Sequence, residues 1–289
     1  MRNVDQHSIT QAFLDYCGDA TSPRLRFILE HLVRHLHDFT RETKLTHEEW
    51  RDAITFLMKT GETTTEERNE FVLLSDVLGL SSMVDMVHSP ENATSSSVLG
   101  PFHIQGAPDL PIGGDLKRDN DGASVIVQGK VLSTDGDPIP HAAIEIWQTA
   151  DNGLYSNQDD AQPDYNLRAR QVVGGDGRYA FTTVRPAPYT VPSDGPVGDL
   201  LKATGRHPWR PSHLHFIIQA DGFRTLVTEV FPDDDPYLDQ DAVFGVREDL
   251  IMHYREHRDH AEAPADLEAR DRLTTPFFMI DFDFRLAKA

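Results

Sequence analysis

The sequence is poor in cysteine, and Cys17 is its one residue of that type. A lone thiol excludes an intrachain disulfide and a cysteine-cluster metal site. Long apolar runs are missing as well. No segment approaches the roughly 18 apolar residues of a membrane helix, and the N-terminal residues lack the run of about 7–15 apolar residues that marks a secretory signal. Together these absences predict a cytoplasmic protein without membrane insertion.

Positive charge is also scarce. The 289 residues include 27 Lys and Arg against 47 Asp and Glu, a formal net charge of −20. Such a chain repels nucleic-acid phosphates and anionic lipid surfaces, so we expect neither as a partner. Apolar residues at 39% and charged residues at 26% are typical of a folded globular protein and exclude a disordered chain. The 14 histidines are many for this length and direct attention to metal ligation.

The hydrophobic pattern changes near residue 90. Before it, apolar residues recur at helical spacing, and helices are predicted over the segments 8–17, 21–40, 46–61 and 65–87. Ser22 or Thr21 before Pro23 suits a helix start, and Thr46 with Glu49 has the spacing of a capping box. The second segment carries an apolar stripe made of Leu25, Ile28, Leu29, Leu32, Val33, Leu36 and Phe39. Such a stripe is typical of a buried helix face, covered by the following domain, a second copy of the chain or a lipid chain.

After residue 90, glycine and proline become frequent, and short alternating segments predict strands. Several short strands joined by turns are typical of an antiparallel sandwich or barrel. Residues 150–210 and 232–275 are predicted to be long loops, which are usually functional. The chain is therefore assigned to the α+β class, with helices over residues 1–92 and a β domain over 93–289. The predicted strands are SVIVQGKVL, AAIEIWQT, GRYAFTTV, HLHFIIQA, TLVTEVF and FFMIDFDF.

The sharpest local signal is RPSHLHF. His213 and His215 are two residues apart in a strand, so they share a face and can bind one metal ion. Leu214 and Phe216 would fill the opposite, apolar face; a chance pair in a histidine-rich chain is the alternative. Because no cysteine and no HExxH motif completes a zinc site, the remaining candidate ligands are oxygen donors. Tyr155 and Tyr189 follow strands in loops, and from the sequence alone packing or solvent exposure is the better explanation for each.

Several motifs of the β half resemble the intradiol ring-cleaving dioxygenases, the family that includes catechol, chlorocatechol and hydroxyquinol 1,2-dioxygenases. They follow the family's order, and the gap from Tyr189 to His213 and the HxH pair fit its pattern. The N-terminal helices resemble the linker helices of the dimeric members. The resembling motifs are SSVLGPFH, GKVLSTDGDPIPHAAIEIWQT, GLYSNQD, RPAPYTVPSDGP, RHPWRPSHLHF and DPYLDQDAVFGV.

The resemblance implies an antiparallel β-sandwich catalytic domain preceded by an α-helical linker and dimerisation domain. It implies one non-haem Fe(III) per subunit, with Tyr155, Tyr189, His213 and His215 as its ligands. Phenolate oxygens suit a hard ferric ion, and neutral imidazoles keep the buried site near charge balance. In the implied reaction an ortho-diphenol chelates the iron while Tyr189 leaves it and takes up a proton. O₂ then opens the ring between the two hydroxyl-bearing carbons, and an open-chain diacid results.

The resemblance also assigns Tyr189, Arg210 and Glu229 to catalysis. Arg210 matches an arginine that borders the substrate and stabilises negative charge on the ring; a salt bridge with a nearby acid is the alternative. Glu229 stands where catechol-type members carry glutamine. It either adds negative charge near the site or pairs with Arg210, and its role stays open.

Asp76 is the informative residue of the implied substrate pocket. An acid among apolar residues can accept a hydrogen bond from a third ring hydroxyl, but leaves an unpaired charge beside plain catechol. A helix-surface or capping acid is the alternative. LLSDVLG, VLGPF and DPYLDQDAVFGV look most like the hydroxyquinol-cleaving members, which predicts 1,2,4-trihydroxybenzene as substrate and maleylacetate, the keto form of 3-hydroxy-cis,cis-muconate, as product. Catechol or chlorocatechol is the alternative substrate. The predicted ring-lining residues are Leu73, Asp76, Val98, Leu99, Gly100, Pro101, Phe102, Val191, Pro192 and Val243.

A function of a different class is also open. DGDPIPHAAIEIW by itself resembles transthyretin-like and carbohydrate-binding β-sandwich modules, which would make the chain a non-catalytic binding domain; such modules lack the four-ligand set. The resemblance to the dioxygenases further implies a homodimer through the N-terminal helices and a phospholipid in a hydrophobic channel at that interface. Helix core packing explains the same apolar residues.

Overall fold

The computed structural model describes residues 3–18, 21–65 and 68–289. The chain divides into two compact units, Met1–Lys59 and Thr60–Ala289. Within the described ranges no single helix is long and apolar enough to cross a membrane. One bent pair in the same ranges, Glu70–Val77 with Leu80–His88 across a 69° bend, reaches the length and composition of a span.

Six α-helices occur in the described residues, five before the first strand and one between strands. α1 and α2 lie where the hydrophobic periodicity predicts them, and α3 continues past Gly61 to Thr63. The bounds of the helices are α1 Ile9–Tyr16, α2 Pro23–Thr43, α3 His47–Thr63, α4 Glu70–Val77, α5 Leu80–His88 and α6 Pro196–Ala203.

Hydrogen bonds confirm two of the predicted helix starts. Ser22 Oγ accepts a bond from the N–H of Leu25 at 3.2 Å, at the start of α2. Before α3, the N–H of Thr46 donates to Glu49 Oε2 at 2.8 Å, and the N–H of Glu49 donates to Thr46 Oγ1 at 3.2 Å. These bonds satisfy N–H groups that have no partner inside the helix.

The single helix predicted from Thr65 to Val87 is wrong in extent. Positions 66 and 67 of that prediction lie outside the described residues. The side chain of Asn69 accepts bonds from the first N–H groups of α4 at 3.1 Å, and the helix ends before Gly79. Gly79 has a φ of +74°, and because a left-handed residue cannot continue an α-helix, α5 starts anew at Leu80.

The apolar stripe of α2 lies at the surface of the single chain. The helix has no buried residue. A continuous apolar surface of this kind usually marks an interaction site rather than a solvated face. The exposed members are Leu25, Ile28, Leu32, Leu36 and Phe39, which are 44–53% accessible.

Thirteen strands lie in the described residues, and all six predicted strand segments contain one or more of them. Their bounds are β1 Gly114–Asp115, β2 Ser124–Ser133, β3 Ala143–Gln148, β4 Arg168–Val172, β5 Arg178–Val184, β6 Tyr189–Thr190, β7 Trp209–Arg210, β8 Leu214–Gln219, β9 Leu226–Pro232, β10 Ile251–Met252, β11 Arg255–His257, β12 Phe277–Asp281 and β13 Phe284–Leu286.

These strands form three sheets. One has the order β1-β5-β2-β12-β11, with β13 also paired to β2; the second has the order β10-β9-β8-β3-β4; β6 and β7 form a ribbon. Neighbours such as β2 and β5, or β3 and β8, are antiparallel, but β12 and β13 run parallel to β2. The pairing is therefore mixed rather than purely antiparallel. Two parallel strands cannot be joined by a hairpin, so the chain must cross over between β2 and β12. The long segment between β9 and β12 is part of that connection.

The two large sheets contribute to one hydrophobic cluster, which includes Val125 and Val127 of β2 and Ile144 and Ile146 of β3. Strand β8 places Leu214, Phe216 and Ile218 in the same cluster. Since side chains alternate along a strand, His215 and Ile217 lie on the opposite face. The predicted division of β8 into an apolar face and a histidine face is thus confirmed.

The two segments expected to be long loops contain elements that the sequence did not predict: β4, β6, α6 and β7 within residues 150–210, and β10 and β11 within residues 232–275. Strand β4 reads RARQV, and its two arginines hide the alternation that marks a strand. Helix α6 begins with Pro196 after Gly195. The N–H of Val197 donates to Glu70 Oε1 at 3.2 Å, which ties the first turn of α6 to the first turn of α4.

Candidate metal centre

A row of four buried side chains crosses the outer face of the five-stranded sheet. Arg168 on β4 is the register partner of Trp147 on β3, Trp147 is the partner of His215 on β8, and His215 is the partner of Glu229 on β9. Residues directly opposite on neighbouring strands project to the same face. The sheet therefore sets a cation, an indole, an imidazole and a carboxylate side by side.

His213 and His215 face each other at the start of β8. Their Nε2 atoms are 3.1 Å apart, and the indole of Trp147 stacks parallel to the ring of His215 with centroids 4.6 Å apart. Nδ1 of His213 donates to the carbonyl of Pro211 at 2.8 Å. That bond requires the proton on Nδ1, so the lone pair of His213 Nε2 faces the site.

Tyr155 reaches the histidines from the loop between β3 and β4. Its N–H donates to Gln158 Oε1 at 3.1 Å, and its fully buried ring stacks on Phe102 with centroids 4.6 Å apart. The hydroxyl lies 3.3 Å from His213 Nε2. Gly153 makes a turn with a φ of +79°, and a Cβ at this position would lie 3.3 Å from the carbonyl oxygen of Pro188 and 3.7 Å from Cβ of Tyr189.

Tyr189 and Arg210 are register partners in the ribbon of β6 and β7. Nη1 of Arg210 lies 3.4 Å from the hydroxyl of Tyr189 and 3.4 Å from Nε2 of His213. The rings of Tyr189 and Tyr155 meet edge to face, with centroids 5.6 Å apart. The two tyrosines and two histidines singled out from the sequence thus form one buried cluster.

Two carboxylates hold the guanidinium of Arg210. Glu229 accepts from Nη1 and Nη2 at 2.8 and 2.9 Å, and Asp241 accepts from Nε and Nη2 at 3.1 and 3.2 Å. The hydroxyl of Ser97 donates to Glu229 Oε2 at 2.7 Å. Arg210 therefore forms the salt bridge that was the alternative to a catalytic role. It also faces Tyr189 and His213.

Burial dominates the ionisation of the four clustered side chains. It lowers the pKa of His213 and, together with the charge of neighbouring groups, lowers that of His215 well below its usual range, so both imidazoles are neutral. Burial raises the pKa of the Tyr155 phenol well above its usual range and raises that of Tyr189 as well, and the charge of Arg210 offsets part of the rise at both. Such phenols lose their protons only when a strong positive charge binds them.

The charges beside the cluster behave differently. Burial opposes ionisation of Glu229, but Arg210 overcomes it and holds the pKa of that carboxyl below its ordinary value. Burial likewise opposes the charge of Arg210, and Asp241 and Glu229 raise its pKa well above the usual range. With one cation and two anions, this group carries a net charge of 1 − 2 = −1.

The donor set fits an oxygen-preferring metal ion. Two neutral imidazoles and two phenols able to lose their protons offer two nitrogens and two oxygens. Nδ1 of His215 lies 3.4 Å from Glu229 Oε1, and its Nε2 faces Nε2 of His213. His213, His215 and Glu229 also place donor atoms within 4.8 Å of one another. Since Arg210 and Ser97 already engage both oxygens of Glu229, the phenols are the better oxygen donors.

A cavity of about 700 Å³ borders the cluster through Tyr189 and Arg210. Its size is that of a small-molecule site. Leu99 does not line it, and its side chain is 44% exposed. Neighbouring side chains of an extended segment point in opposite directions, and the side chain of Val98 points into the cavity. The other nine residues expected around the ring do line the cavity: Leu73, Asp76, Val98, Gly100, Pro101, Phe102, Val191, Pro192 and Val243.

Asp76 is a nearly buried acid on α4 that faces this cavity. Burial raises the pKa of its carboxyl, and the Ser81 hydroxyl and the charge of Arg210 offset part of that rise. Asp76 is therefore neither a helix-surface acid nor a capping acid. It can accept a hydrogen bond from a polar substituent of a molecule bound in the cavity.

Sequence reasoning missed the remaining lining residues and two residues that support the site. Asp241 and Arg168 are far from the ligands along the chain, and only the pairing of strands and loops brings them close. The polar run directly after Tyr155 was the one usable signal, because residues beside a ligand usually share its cavity. The missed lining residues are Arg68, Asn69, Val72, Asn157, Gln158 and Asp160.

Known families match almost the whole chain. Residues 100–287 match the family described as "Dioxygenase", and residues 22–96 match "Catechol dioxygenase N terminus". The chain is 45% identical over 273 residues to a hydroxyquinol 1,2-dioxygenase of Rhizobium sp. (strain MTP-10005), covering 93% of this chain and 91% of that protein. It is 46% identical over 288 residues to a 6-chlorohydroxyquinol 1,2-dioxygenase of Cupriavidus pinatubonensis (strain JMP 134), covering 99% of each.

A solved structure is similar over nearly the same length. The hydroxyquinol 1,2-dioxygenase of Pseudomonas putida DLL-E4 superposes with a TM-score of 0.90 at 43% identity, covering 98% of this chain and 99% of that one. This chain therefore belongs to the intradiol ring-cleavage dioxygenases, a family of iron-using enzymes with an N-terminal helical region and a catalytic domain. Because the match extends far beyond the DGDPIPHAAIEIW segment, the alternative of a non-catalytic binding module is rejected.

Proposed function

We propose that this chain is a non-haem Fe(III) dioxygenase that cleaves 1,2,4-trihydroxybenzene (hydroxyquinol). One O₂ is added per ring, and both its atoms enter 3-hydroxy-cis,cis-muconate, whose keto form is maleylacetate. The observation that carries the proposal is the carboxylate of Asp76 inside a cavity that borders the tyrosine–histidine cluster. Proteins named hydroxyquinol 1,2-dioxygenase at 42–45% identity support it.

We propose that one ferric ion per subunit is held by the phenolates of Tyr155 and Tyr189 and the imidazoles of His213 and His215. The neutral state of both imidazoles favours this assignment, because a protonated imidazole cannot bind a metal. Bound there, the ion supplies Lewis acidity and a centre that accepts electron density from a chelated diphenol.

The side chains of the cavity bind and orient the ring. Val98, Val191 and Val243 offer apolar surface to its faces, which is favourable because the ring leaves water. Asp76 accepts a hydrogen bond from the third hydroxyl, the group that catechol lacks. The substrate is thereby held with its two adjacent hydroxyls toward the tyrosines.

Tyr189 and Arg210 act on protons and charge. The hydroxyl oxygen of Tyr189 can hold a proton that the substrate releases, since it faces the cavity and has Arg210 Nη1 at 3.4 Å. Arg210 stabilises negative charge that develops on the ring. We assign Glu229 to positioning: with Asp241 it fixes the guanidinium by four hydrogen bonds.

Oxygen uptake by the iron-loaded protein tests the proposal. We expect faster uptake with 1,2,4-trihydroxybenzene than with catechol or 4-chlorocatechol, one O₂ consumed per ring and maleylacetate as product, after subtraction of enzyme-free autoxidation. Equal or faster uptake with catechol would overturn the substrate and leave the ring cleavage. No uptake with any diphenol at full iron loading would overturn the function itself.

The finer organisation of the chain is also proposed. We propose a linker and dimerisation domain over residues 1–92 and a catalytic domain over 93–289 in which the two large sheets pack as a sandwich. The shared hydrophobic cluster supports the sandwich. The exposed stripe of α2 supports a homodimer through the N-terminal helices, with a phospholipid in the channel between the copies. The cytoplasmic location stays a prediction.

A further inference from the structure

The two buried arginines of the site differ in how their charges are balanced. Arg210 is held by two carboxylates. Arg168, which is 2% exposed, has no carboxylate partner among the described residues, and its hydrogen bonds all go to neutral oxygens. A buried cation without a counter-charge is costly, so it calls for an explanation.

Arg168 holds together the two segments that surround Tyr155. Its Nε donates to Ser156 Oγ at 2.9 Å and its Nη2 donates to Asn157 Oδ1 at 2.9 Å, both directly after Tyr155 in the loop. Its Nη1 donates to the carbonyl of Phe102 at 2.6 Å, and Phe102 stacks on the Tyr155 ring. These bonds use all three nitrogens of the guanidinium.

The charge of Arg168 lies against the ligand ring itself. Its Cζ is 5.8 Å from the centroid of Tyr155. A guanidinium keeps its charge at neutral pH in proteins. A phenolate at Tyr155, which the proposed iron site would require, would supply the anion missing from the surroundings of Arg168.

We propose that Arg168 is a positioning residue for Tyr155: it fixes the ligand's loop and places an uncompensated positive charge beside its ring. The inference rests on the proposed iron site, in which Tyr155 would bind the ion as phenolate.

The visible spectrum of the iron-loaded protein tests this inference. A nearby cation lowers the energy of the phenolate electrons, so its removal reduces the energy needed to transfer one to the metal. We expect Arg168→Gln to move the tyrosinate-to-iron absorption band to longer wavelength and to weaken iron binding about 10–100-fold in competition with a chelator. Arg168→Lys keeps the charge but loses the hydrogen bonds that the three guanidinium nitrogens make. We expect its absorption band to stay near that of the wild type while iron binding weakens.

Arg170→Gln is the matched control, since Arg170 lies on the same strand and pairs with Asp109 at 3.1 Å at the surface. It should leave both readouts unchanged. An unshifted band in Arg168→Gln would overturn the inference, because a purely structural role does not move the band. If Arg168→Gln fails to fold, unaltered iron binding in Arg168→Lys would overturn it. A wild-type protein that loads iron without any tyrosinate band would instead overturn the proposed function.

Discussion

Asp76 is the residue whose chemistry separates one diphenol from another. Replacing it with leucine removes the acceptor for a third hydroxyl, and a hydrogen bond to a charged group is worth about 1.5–3 kcal/mol. We expect Asp76→Leu to lower kcat/KM for 1,2,4-trihydroxybenzene relative to catechol by roughly 10–150-fold. Steady-state oxygen uptake with the two substrates measures the ratio.

The control for this change is Asp85→Asn, which alters an acid on α5 that is not among the cavity's lining residues. Its substrate ratio should equal that of the wild type. A wild-type ratio in Asp76→Leu would mean that the carboxylate does not contact the third hydroxyl.

The same carboxylate lowers the stability of the fold at neutral pH. Because burial raises its pKa above the ordinary 3.8, the folded chain binds more protons than the unfolded chain between 3.8 and the raised value. The free energy of unfolding therefore falls as pH rises through that window. We expect Asp76→Asn to melt at a higher temperature than the wild type at pH 7, with the difference disappearing below pH 3.8.

Calorimetry of the metal-free protein at several pH values checks this prediction. An Asp76→Asn protein that melts at or below the wild-type temperature at pH 7 would contradict it. A polar group buried in a binding site commonly lowers the stability of the fold while it provides substrate selectivity.

At the scale of elements, Gly129 allows the C-terminal strands to approach β2. A Cβ at this position would lie 1.9 Å from the carbonyl oxygen of Phe282, which the hydroxyl of Tyr179 holds by a hydrogen bond of 2.7 Å. Backbone cannot yield as a flexible side chain does. We expect Gly129→Ala to reduce the free energy of unfolding by at least about 1–3 kcal/mol.

Gly175→Ala is the comparison, because nothing lies within 4 Å of a Cβ built there. Urea unfolding of the two variants measures the difference. Equal midpoints would show that the connection between β12 and β13 adjusts without loss.

The elements that the sequence predicts are those with a strong local signal. The capping box of Thr46 and Glu49 and the alternation of β8 depend only on near neighbours, and both are found. Strand β4 is missed because Arg168 and Arg170 break the apolar pattern. Arg168 can be buried because oxygen atoms from two other segments accept its hydrogen bonds, and the sequence of β4 does not indicate those partners. The mixed pairing of β2 is set by a crossover that no local pattern records.

The site was predictable to a similar extent. His213 and His215 share a face by their spacing alone, but Tyr155 and Tyr189 could be joined to them only through the family resemblance. Neither residue spacing nor the family resemblance predicted the contact of Asp241 with Arg210. Asp241 approaches Arg210 because its loop folds back onto β7, and local sequence holds no trace of that contact.

At the scale of the whole molecule, the exposed stripe of α2 is the feature that a monomer leaves unexplained. We expect the double change Leu32→Asp and Leu36→Asp to convert a dimer into a monomer, because it places two charges in the proposed interface. Sedimentation at equal protein concentration measures the change in mass.

Arg34→Glu is the matched control, because it changes the net charge by the same two negative units as the double change. Arg34 lies on the other side of the helix, where it pairs with Glu30 at 2.6 Å. It should remain dimeric. A dimer that survives the double change would show that copies of the chain associate through another surface.

The indole that stacks on His215 gives the protein an optical indicator of its own. Of the three tryptophans, Trp147 alone lies in the row beside the candidate ligands, whereas Trp209 stacks on Tyr237 and Trp50 is exposed. A coloured metal ion bound by His215 would lie one imidazole ring away from this indole and would quench its fluorescence. Emission from Trp147 should therefore dim as iron enters and brighten as it leaves, so that the filling of the site can be followed continuously without substrate.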